Sequence, residues 1–388
     1  MNDFVFHNPT KIIFGRGKIA ELGAMVAASA KRVLLIYGRG SIKRNGVYEQ
    51  VISSLKAADV EAVELAGVKP NPVLSKVHEG IELAREHRVE ALVAVGGGSV
   101  IDTAKAIASG FYYDGDIWEA FIGQYTPERA LPLYVVLTLS ATGSEMNGGA
   151  VITNEQTAQK YAFWSVHSYP RVSIIDPAVQ FSLPREQTVN GAVDAISHVL
   201  ELYFDGSSNT MVQDEIAEGI VRTVIRSTET LLERPDDYEA RAQLAWSATL
   251  ALCGLNHAGR SGGDWASHRL EHSLSALYDL AHGAGLAIVF PAWMRYVYRE
   301  DRPKFARFGR QIFGISEPDD EQAEAALKGI ASLKDWLSRI GAPTSLREAG
   351  IPPEDLERIV ANATLQGPLG RLKRLEAIDL QEILKLAL

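Results

Sequence analysis

The fold is constrained most strongly by a change of sequence periodicity near residue 180. Before that point, short apolar runs alternate with amphipathic stretches; the runs lie at 33–37, 91–95 and 133–138. Buried runs of this kind, separated by helical patterns such as 47–58 and 76–88, are typical of βαβ units that form a parallel sheet. We therefore predict an α/β domain at 1–180, with two further short strands at 4–6 and 11–14.

After residue 180 the apolar positions recur with a spacing of about 3.6 residues, which indicates helices. The helical stretches lie at 188–204, 210–232, 238–257, 264–278, 283–298, 321–338, 353–363 and 378–388. We predict an all-helical domain at 181–388.

Composition excludes several classes of protein. The 388 residues carry a formal charge of −9, and nucleic-acid-binding proteins usually show basic patches instead. The single cysteine, Cys253, excludes an intramolecular disulfide and fits a reducing compartment. No apolar run approaches the roughly 18 residues that a bilayer span needs, and the first residues do not resemble a signal peptide. We expect a cytoplasmic protein with neither a membrane nor a nucleic acid as partner.

A glycine-rich turn after the second apolar run suggests a nucleotide phosphate site. Gly96, Gly97, Gly98 and Ser99 precede a predicted helix at 100–109. Glycines let backbone N–H groups approach a phosphate closely, and the helix N-terminus adds unpaired donors and a positive dipole end. Ser99 is placed to cap the helix and donate to phosphate. An ordinary βα turn is the alternative.

A second turn, formed by Gly38, Arg39, Gly40 and Ser41, follows the first apolar run. The G-x-G-x-x-G fingerprint and the lysine-bearing P-loop are both missing here, and the turn has no acidic side chain for a ribose 2′-hydroxyl. Arg39 and Ser41, with the basic residues at 43–44 nearby, suit a 2′-phosphate and predict NADP. The alternative is that Arg39 is a solvated surface charge.

Five of the nine histidines fall between residues 198 and 282. Asp194 and His198 are four residues apart, and so are His268 and His272. On a helix this spacing places both members of a pair on one face. One carboxylate with three imidazoles is a plausible ligand set for Zn²⁺ or Fe²⁺. Each pair alone is as readily explained by a hydrogen bond within a helix.

His282 joins this group only if the chain folds back. The helical phase of His282 lies within about 40° of His268, but a straight helix would separate them by about 21 Å. For His268 and His282 to bind the same ion, the helix must therefore break near residues 278–279.

Two other features leave alternatives open. The segment from His268 to His272 matches H-x-x-E-H, the inverted zinc-peptidase signature, with Glu271 as base. A peptidase would leave Asp194, His198 and the glycine turns unexplained.

Four aromatic residues either form an apolar substrate pocket or belong to the core; they are Trp118, Phe163, Trp164 and Trp265.

Taken together, these motifs resemble the iron-containing alcohol dehydrogenase family, specifically its NADPH-dependent butanol dehydrogenases and aldehyde reductases. The resemblance covers essentially the whole chain. It is carried by the histidine region and by motifs at 6–17, 37–43, 69–72, 96–102, 138–145 and 175–177.

The resemblance implies an architecture like that of dehydroquinate synthase: a dinucleotide-binding domain, a helical metal-binding domain and an active site in the cleft between them. It implies a homodimer. Its four metal ligands match Asp194, His198, His268 and His282, whereas His272 matches a non-ligand histidine near the substrate. His272 is also the best side-chain candidate for a proton donor, because imidazole titrates near neutral pH. Water reached through the ribose hydroxyls of the nicotinamide nucleotide is the alternative.

The resemblance further implies a set of cofactor-binding positions. Gly97, Gly98 and Ser99 match the pyrophosphate loop. The other cofactor-binding positions are Asn71, Asp102, Thr138, Thr142 and Lys160. NAD-preferring relatives carry an aspartate about where Gly38 stands, which agrees with the prediction of NADP. Arg39 departs from the Gly-Gly-Gly-Ser turn that is common in this branch.

The expected function is therefore interconversion of short-chain aldehydes and primary alcohols, with NADP(H) and one divalent metal, Fe²⁺ or Zn²⁺. A lyase of the dehydroquinate synthase type is an alternative, but its anionic substrate would need cations, and only Arg260 and Arg269 are obvious near the histidines. A glycerol dehydrogenase-like enzyme and a non-catalytic metal- or nucleotide-binding protein are the others.

Overall fold

A computed structural model describes all of residues 1–388, which form two compact units. The sheet unit comprises His7–Pro184 and Glu233–Thr249, and the helical unit comprises Met1–Phe6, Arg185–Leu232 and Leu250–Leu388. Residues 233–249 thus pack with the sheet unit. The division into domains at 1–180 and 181–388 stays a prediction.

The strands of the sheet unit are β1 (Lys11–Phe14), β2 (Arg32–Tyr37), β3 (Glu61–Leu65), β4 (Ala91–Gly96), β5 (Leu133–Leu137), β6 (Gly149–Asn154), β7 (Gln159–Trp164) and β8 (Val172–Ile175). Six of them form a sheet in the order β1-β8-β5-β4-β2-β3, in which every pair is parallel, and the other two form a separate antiparallel hairpin, β6-β7. The predicted parallel α/β fold is confirmed. No strand forms at 4–6, where the chain is exposed and irregular.

The sheet is buried on both faces, which explains why its central strands are apolar throughout. Successive side chains of a strand point to opposite faces. Leu34 and Leu92 accordingly belong to one hydrophobic core, and their neighbours Val33 and Val93 belong to the other. Helices cover both faces, as parallel sheets require.

The helices of the sheet unit are α1 (Leu22–Ala27), α2 (Ser41–Arg44), α3 (Val47–Ala57), α4 (Leu74–Glu86), α5 (Gly98–Gly110), α6 (Trp118–Phe121) and most of α9 (Tyr238–Ala251). Helix α9 is shorter than the predicted stretch 238–257. The chain turns after it, where Gly254 has a φ of 97° that few residues other than glycine adopt.

The helical unit consists of α7 (Arg185–Tyr203), α8 (Met211–Glu233), α10 (Ala266–Tyr278), α11 (His282–Val297), α12 (Arg302–Phe313), α13 (Gln322–Ile340), α14 (Leu356–Ala363) and α15 (Ala377–Leu386). Helix α12 was not predicted. It begins after Asp301, whose side chain accepts a hydrogen bond from the Lys304 N–H and caps the helix. None of the helices combines the length and apolar character needed to cross a bilayer.

The predicted break between the histidine-bearing helices is confirmed. Helix α10 ends at Tyr278, and Asp279 follows in the left-handed region with a φ of 52°. Helix α11 then starts at His282. Gly283 permits a close approach here, because a Cβ on it would lie 2.2 Å from the backbone oxygen of Asn190 on α7. The first turn of α11 is therefore packed directly against α7.

Candidate active site

Three side chains from three helices of the helical unit converge at one point. Asp194 on α7, His268 on α10 and His282 on α11 each place a ligand-type atom within 4.8 Å of the others. Asp194 and His268 are buried, and His282 is partly exposed. The chain break after α10 makes this possible, because it returns His282 toward His268.

His198, the fourth predicted ligand, borders this group. Its Nδ1 lies 3.4 Å from Asp194 Oδ1, and its ring centroid lies 4.7 Å from that of His268. Its ring nitrogens do not belong to the compact set of three. The structure thus brings all four predicted ligands into one cluster, while their role as ligands stays a prediction.

The residues present fit a divalent metal ion. His198 Nδ1 and His268 Nε2 are both buried and have no hydrogen-bond partner, which is costly for polar atoms unless they serve another purpose. Burial, and then the neighbouring His268 and His282, lower the pKa of His198 well below its usual value. A neutral imidazole offers the lone pair that Zn²⁺ and Fe²⁺ bind, and a carboxylate completes a common donor set.

Two buried glutamates hold the opposite sides of the histidine rings, and neither was predicted in this role. Glu201 Oε1 lies 2.8 Å from His268 Nδ1. Glu271 Oε2 is hydrogen-bonded to His282 Nδ1, and its other oxygen accepts from the Ser275 hydroxyl. A signal was available for Glu201, since it lies seven residues after Asp194 and therefore on the same face of α7.

His272 lies beside the cluster and outside its compact core. Its ring centroid is 5.5 Å from that of His282, and it forms a second group with Glu271 and His282. The tight set pairs His268 with Asp194 and His282 rather than with His272. Glu271 is fully buried and engaged by His282 and Ser275, so this arrangement does not present the free base that an inverted zinc peptidase needs.

The four aromatic residues have different environments. Phe163 is buried in the core of the sheet unit, with Trp118 packed against that core. Trp164 is 52% exposed. Trp265 lies against the histidine cluster, with its ring centroid 5.3 Å from His268 and 6.2 Å from His198. Trp265 is thus the only one of the four that contacts the candidate metal ligands.

In the sheet unit, the predicted cofactor segments follow three adjacent strands. The turn that begins at Gly38 follows β2, the loop from Gly97 to Ser99 follows β4, and Thr138 follows β5. These strands are neighbours in the order β5-β4-β2. The segments therefore meet at the carboxyl edge of the sheet, where α/β folds bind ligands.

The glycine loop is shaped as a cradle for a phosphate. Helix α5 begins at Gly98, two residues earlier than predicted, so Ser99 lies in its first turn and Gly97 takes the N-cap position. A Cβ on Gly98 would lie 2.4 Å from Thr142 Cγ2, and a Cβ on Gly97 would lie 3.0 Å from Leu139 Cβ. Glycine is thus required for the loop after β5 to pack here. The Val100 N–H donates to the Gly97 carbonyl, and the two N–H groups before it, those of Gly98 and Ser99, are placed to bind an anion at this helix N-terminus.

Arg39 in the turn after β2 and Lys43 in the short helix α2 that follows have different environments. Arg39 is exposed. The Lys43 ammonium lies 3.4 Å from Glu64 Oε2 and stacks over the rings of Tyr37 and Tyr48. The Glu64 carboxylate also accepts hydrogen bonds from both tyrosine hydroxyls. Glu64, the acidic residue of β3 that lies nearest this turn in sheet register, is therefore already engaged.

Two further predicted cofactor residues are joined in the structure. Lys160 Nζ donates to Asn71 Oδ1 at 3.0 Å, and both side chains are buried. Asn71 has a φ of 51°, in the left-handed region that asparagine tolerates better than most residues. The hydrogen bond links the chain after β3 to the hairpin strand β7.

Asp102 is directed into a buried polar network. One carboxylate oxygen accepts from the Ser144 hydroxyl at 2.6 Å, and the other accepts from the Val151 N–H at 3.1 Å. Lys105, which was not predicted, donates to Ser144 Oγ and to Asn147 Oδ1 in the same network. Burial lowers the pKa of Lys105 to about 7 despite the neighbouring Asp102. These groups bind α5 to the segment that follows Thr142.

Known proteins match this chain along its whole length. Residues 9–177 match the sequence profile of iron-containing alcohol dehydrogenase, and residues 188–388 match the C-terminal profile of that family. A probable NADH-dependent butanol dehydrogenase of Bacillus subtilis is 44% identical, covering 100% of both chains. An NADPH-dependent aldehyde reductase of Escherichia coli is 41% identical over 90% of each chain. The crystal structure of NADH-dependent butanol dehydrogenase A from Thermotoga maritima superposes with a TM-score of 0.97 at 60% identity, covering 100% of this chain and 99% of that one.

The chain belongs to the iron-containing alcohol dehydrogenase family. It is an oxidoreductase that acts on alcohols or aldehydes, and family membership implies a nucleotide cofactor and a divalent metal.

Proposed function

We propose that the protein interconverts short-chain aldehydes and primary alcohols with NADP(H) and one divalent metal, Fe²⁺ or Zn²⁺. The convergence of Asp194, His268 and His282 within 4.8 Å is the observation that carries this proposal. His198 completes the ligand set. The site is proposed to work in a cytoplasmic homodimer.

The chemistry divides between the two bound groups and the residues that hold them. When bound, the metal polarises a carbonyl oxygen as a Lewis acid and the reduced nicotinamide supplies a hydride. In the reducing direction an aldehyde, the reduced cofactor and a proton give a primary alcohol and the oxidised cofactor. The protein holds the metal with Asp194 and three histidines, and it holds the pyrophosphate with the first N–H groups of α5.

We assign the proton to His272. A proton must reach the product oxygen, and His272 lies beside His282 without belonging to the compact ligand group. Imidazole is the side chain best suited to exchange a proton near neutral pH. Trp265, which packs against His268 and His198, provides an apolar wall that favours an aliphatic substrate.

NADP(H) is proposed over NAD(H) from the residues of the turn after β2. Gly38 to Ser41 include no carboxylate for a ribose 2′-hydroxyl, and Glu64 is engaged by two tyrosines and Lys43. Arg39 is exposed and free to reach a 2′-phosphate. NAD(H) is the second candidate, because several relatives of 40–45% identity are named as NADH-dependent butanol dehydrogenases.

A lyase acting on a multiply anionic substrate is less well supported. It would need free cations near the histidines, and Arg260 is buried with its guanidinium bonded to Asp214 and to the backbone oxygen of Asn256. Arg269 donates to the backbone oxygen of Pro368.

The proposal is tested by following reduced-nicotinamide absorbance with a panel of straight-chain aldehydes, using NADPH and NADH in parallel. Each assay is run with metal-free protein and after addition of Zn²⁺ or Fe²⁺. We expect metal-dependent oxidation of NADPH with short aldehydes. Metal-independent turnover, or no turnover with any aldehyde, would contradict the proposal.

A further inference from the structure

Glu201 makes an unusual set of contacts across the helical unit. It lies on α7 and its side chain is fully buried. One oxygen accepts from the backbone N–H of His268 at 3.1 Å and lies 2.8 Å from that residue's Nδ1. The other oxygen accepts from the backbone N–H of Trp265 at 2.5 Å. A single carboxylate therefore caps the start of α10 and holds an imidazole that belongs to the same helix.

The backbone at this point adopts a conformation that needs such support. Trp265 has a φ of 62°, which is rare for a bulky residue and persists only when the surroundings enforce it. Its own side chain does not cap α10. The indole Nε1–H donates to the backbone oxygen of Gly262, so the ring and the backbone N–H of Trp265 are both anchored. Glu201 thus fixes the direction in which α10 presents His268.

Glu271 has the same relationship to His282. It is fully buried on α10, and its Oε2 is hydrogen-bonded to His282 Nδ1. Its Oε1 accepts from the Ser275 hydroxyl, which fixes the rotation of the carboxylate. The two histidines are therefore each held at Nδ1 by a buried glutamate, and each ring directs its Nε2 away from that glutamate.

We propose that Glu201 and Glu271 are positioning residues that fix the tautomer and orientation of His268 and His282 and thereby set the affinity of the protein for its metal. The proposal rests on the metal site proposed above. Nothing in it requires either glutamate to touch the metal or the substrate.

The physical reason is that the two nitrogens of an imidazole ring have different roles: Nδ1 donates a hydrogen bond and Nε2 offers its lone pair to a metal. A carboxylate that accepts the Nδ1–H leaves the Nε2 lone pair free and makes it more basic. In His268 that Nε2 is buried without a hydrogen-bond partner, and His282 Nε2 lies 3.6 Å from Asp194 Oδ1. Both nitrogens thus belong to the place where the metal ligands converge.

The glutamates also connect the ligand-bearing helices. Asp194, His198 and Glu201 lie on one face of α7, and Glu201 reaches across to α10. Glu271 reaches from α10 to His282 at the start of α11. Ligands from three helices are therefore held by two side-chain links that do not pass through the metal.

The test measures metal affinity in the full-length protein. Wild type, Glu201→Gln and Glu271→Gln are loaded with Zn²⁺, and the dissociation constant is obtained by competition with a chromophoric chelator. Glu218→Gln is the matched control: Glu218 is equally buried in the same unit, but its carboxylate binds Tyr203 and Arg307. We expect each of the two test variants to bind Zn²⁺ about 10- to 100-fold more weakly and Glu218→Gln to bind as wild type does.

A second readout separates positioning from loss of stability. The absorption bands of Co²⁺-loaded protein report ligand geometry, and we expect them to shift in Glu201→Gln and Glu271→Gln but not in Glu218→Gln. If Glu201→Gln does not fold, the inference is tested with Glu271→Gln alone. We expect Glu271→Gln to fold, because the glutamine amide can still bond to His282 and Ser275 although the negative charge is gone.

The outcomes distinguish this inference from the function on which it rests. Tight Zn²⁺ binding by wild type with unchanged affinity and spectrum in the folded variants would overturn the inference and leave the metal site intact. Failure of wild type to retain Zn²⁺ or Co²⁺ would overturn the proposed metal site and the inference with it.

Discussion

Gly98 and Thr142 approach so closely that a Cβ on Gly98 would lie 2.4 Å from the Thr142 methyl carbon. This contact joins the start of α5 to the loop after β5, the two segments proposed to hold the cofactor. Thr142 also accepts a hydrogen bond from the Ser144 N–H, so it cannot move without disturbing its own loop. The geometry of the proposed phosphate-binding loop therefore requires glycine at position 98, where any Cβ would clash with Thr142.

Gly98→Ala is expected to raise the KM for the dinucleotide about tenfold, because overpacking of a rigid contact typically costs about 1–3 kcal/mol. The measurement is a steady-state titration of the reduced cofactor. Gly219→Ala is the control, since Gly219 lies in α8 and an added Cβ there would point into open space. An unchanged KM in Gly98→Ala would mean that this loop does not bind the cofactor.

Arg39→Ala is expected to lower kcat/KM for NADPH about 10- to 100-fold while leaving kcat/KM for NADH nearly unchanged. The reason is the loss of one charge-assisted hydrogen bond to the 2′-phosphate, worth about 1.5–3 kcal/mol. Arg171→Ala is the matched control, because Arg171 is also exposed but directly precedes β8, at the amino ends of the parallel strands and away from their carboxyl ends. A clear preference of wild type for NADH would show that the assignment of the turn is wrong.

His272→Gln is expected to lower kcat for aldehyde reduction about 10²- to 10⁴-fold, the usual contribution of a positioned proton donor. Metal content, measured by elemental analysis, should stay at the wild-type level because His272 is proposed not to be a ligand. Loss of metal from this variant would instead place His272 in the ligand set. Full activity would assign the proton to another route.

The parallel sheet and most helices of this protein could be predicted because their signals are local. The runs in β2, β4 and β5 are apolar on both faces, and most helices after residue 180 have apolar positions that recur about every 3.6 residues. The hairpin β6-β7 was missed because both strands mix polar and apolar residues and β7 is partly exposed. Helix α12 was missed because four basic residues interrupt its apolar positions and its start depends on a cap at Asp301.

The residues of the candidate site could be predicted where their spacing in the sequence shows that they share one face of a helix. The pairs at four-residue spacing and the break before His282 predicted that Asp194, His198, His268 and His282 come together, while their role as metal ligands stays a prediction. Spacing could not show which nitrogen of each ring faces the cluster, because that depends on Glu201 and Glu271 after the helices have packed. It also could not show that Asp102 faces Ser144 and Val151, since that contact depends on the path of the loop after β5.

A cluster of charged side chains away from the candidate active site gives a prediction about how the stability of the fold depends on pH. Asp214 accepts from Arg260 at 2.7 Å and from Lys304 at 2.6 Å. Burial alone would raise the pKa of Asp214, but its bonds to Lys304 and Arg260 outweigh burial and lower the pKa below its usual value. Because its pKa is lower in the folded state, the ionised Asp214 stabilises the fold at pH values above its unfolded-state pKa of about 3.9. This stabilisation is lost as the pH falls through the folded-state pKa.

Asp214→Asn is therefore expected to destabilise the helical unit by about 3–5 kcal/mol at neutral pH, since it leaves buried cations without their anion. Urea unfolding of wild type and variant, followed by circular dichroism at several pH values, provides the measurement. The difference between the two proteins should shrink as the pH falls toward 3 or below. A difference that is constant with pH would contradict this electrostatic explanation.

The central claim, that Asp194 and the three histidines hold a metal required for turnover, is tested most directly with His268→Ala. Metal content, circular dichroism and NADPH oxidation with a short-chain aldehyde are measured on wild type and variant after loading with Zn²⁺ or Fe²⁺. We predict that His268→Ala folds, loses its metal and loses about 10³-fold in kcat/KM, as expected when several kcal/mol of Lewis-acid stabilisation is removed. Wild-type turnover by metal-free His268→Ala would contradict the account.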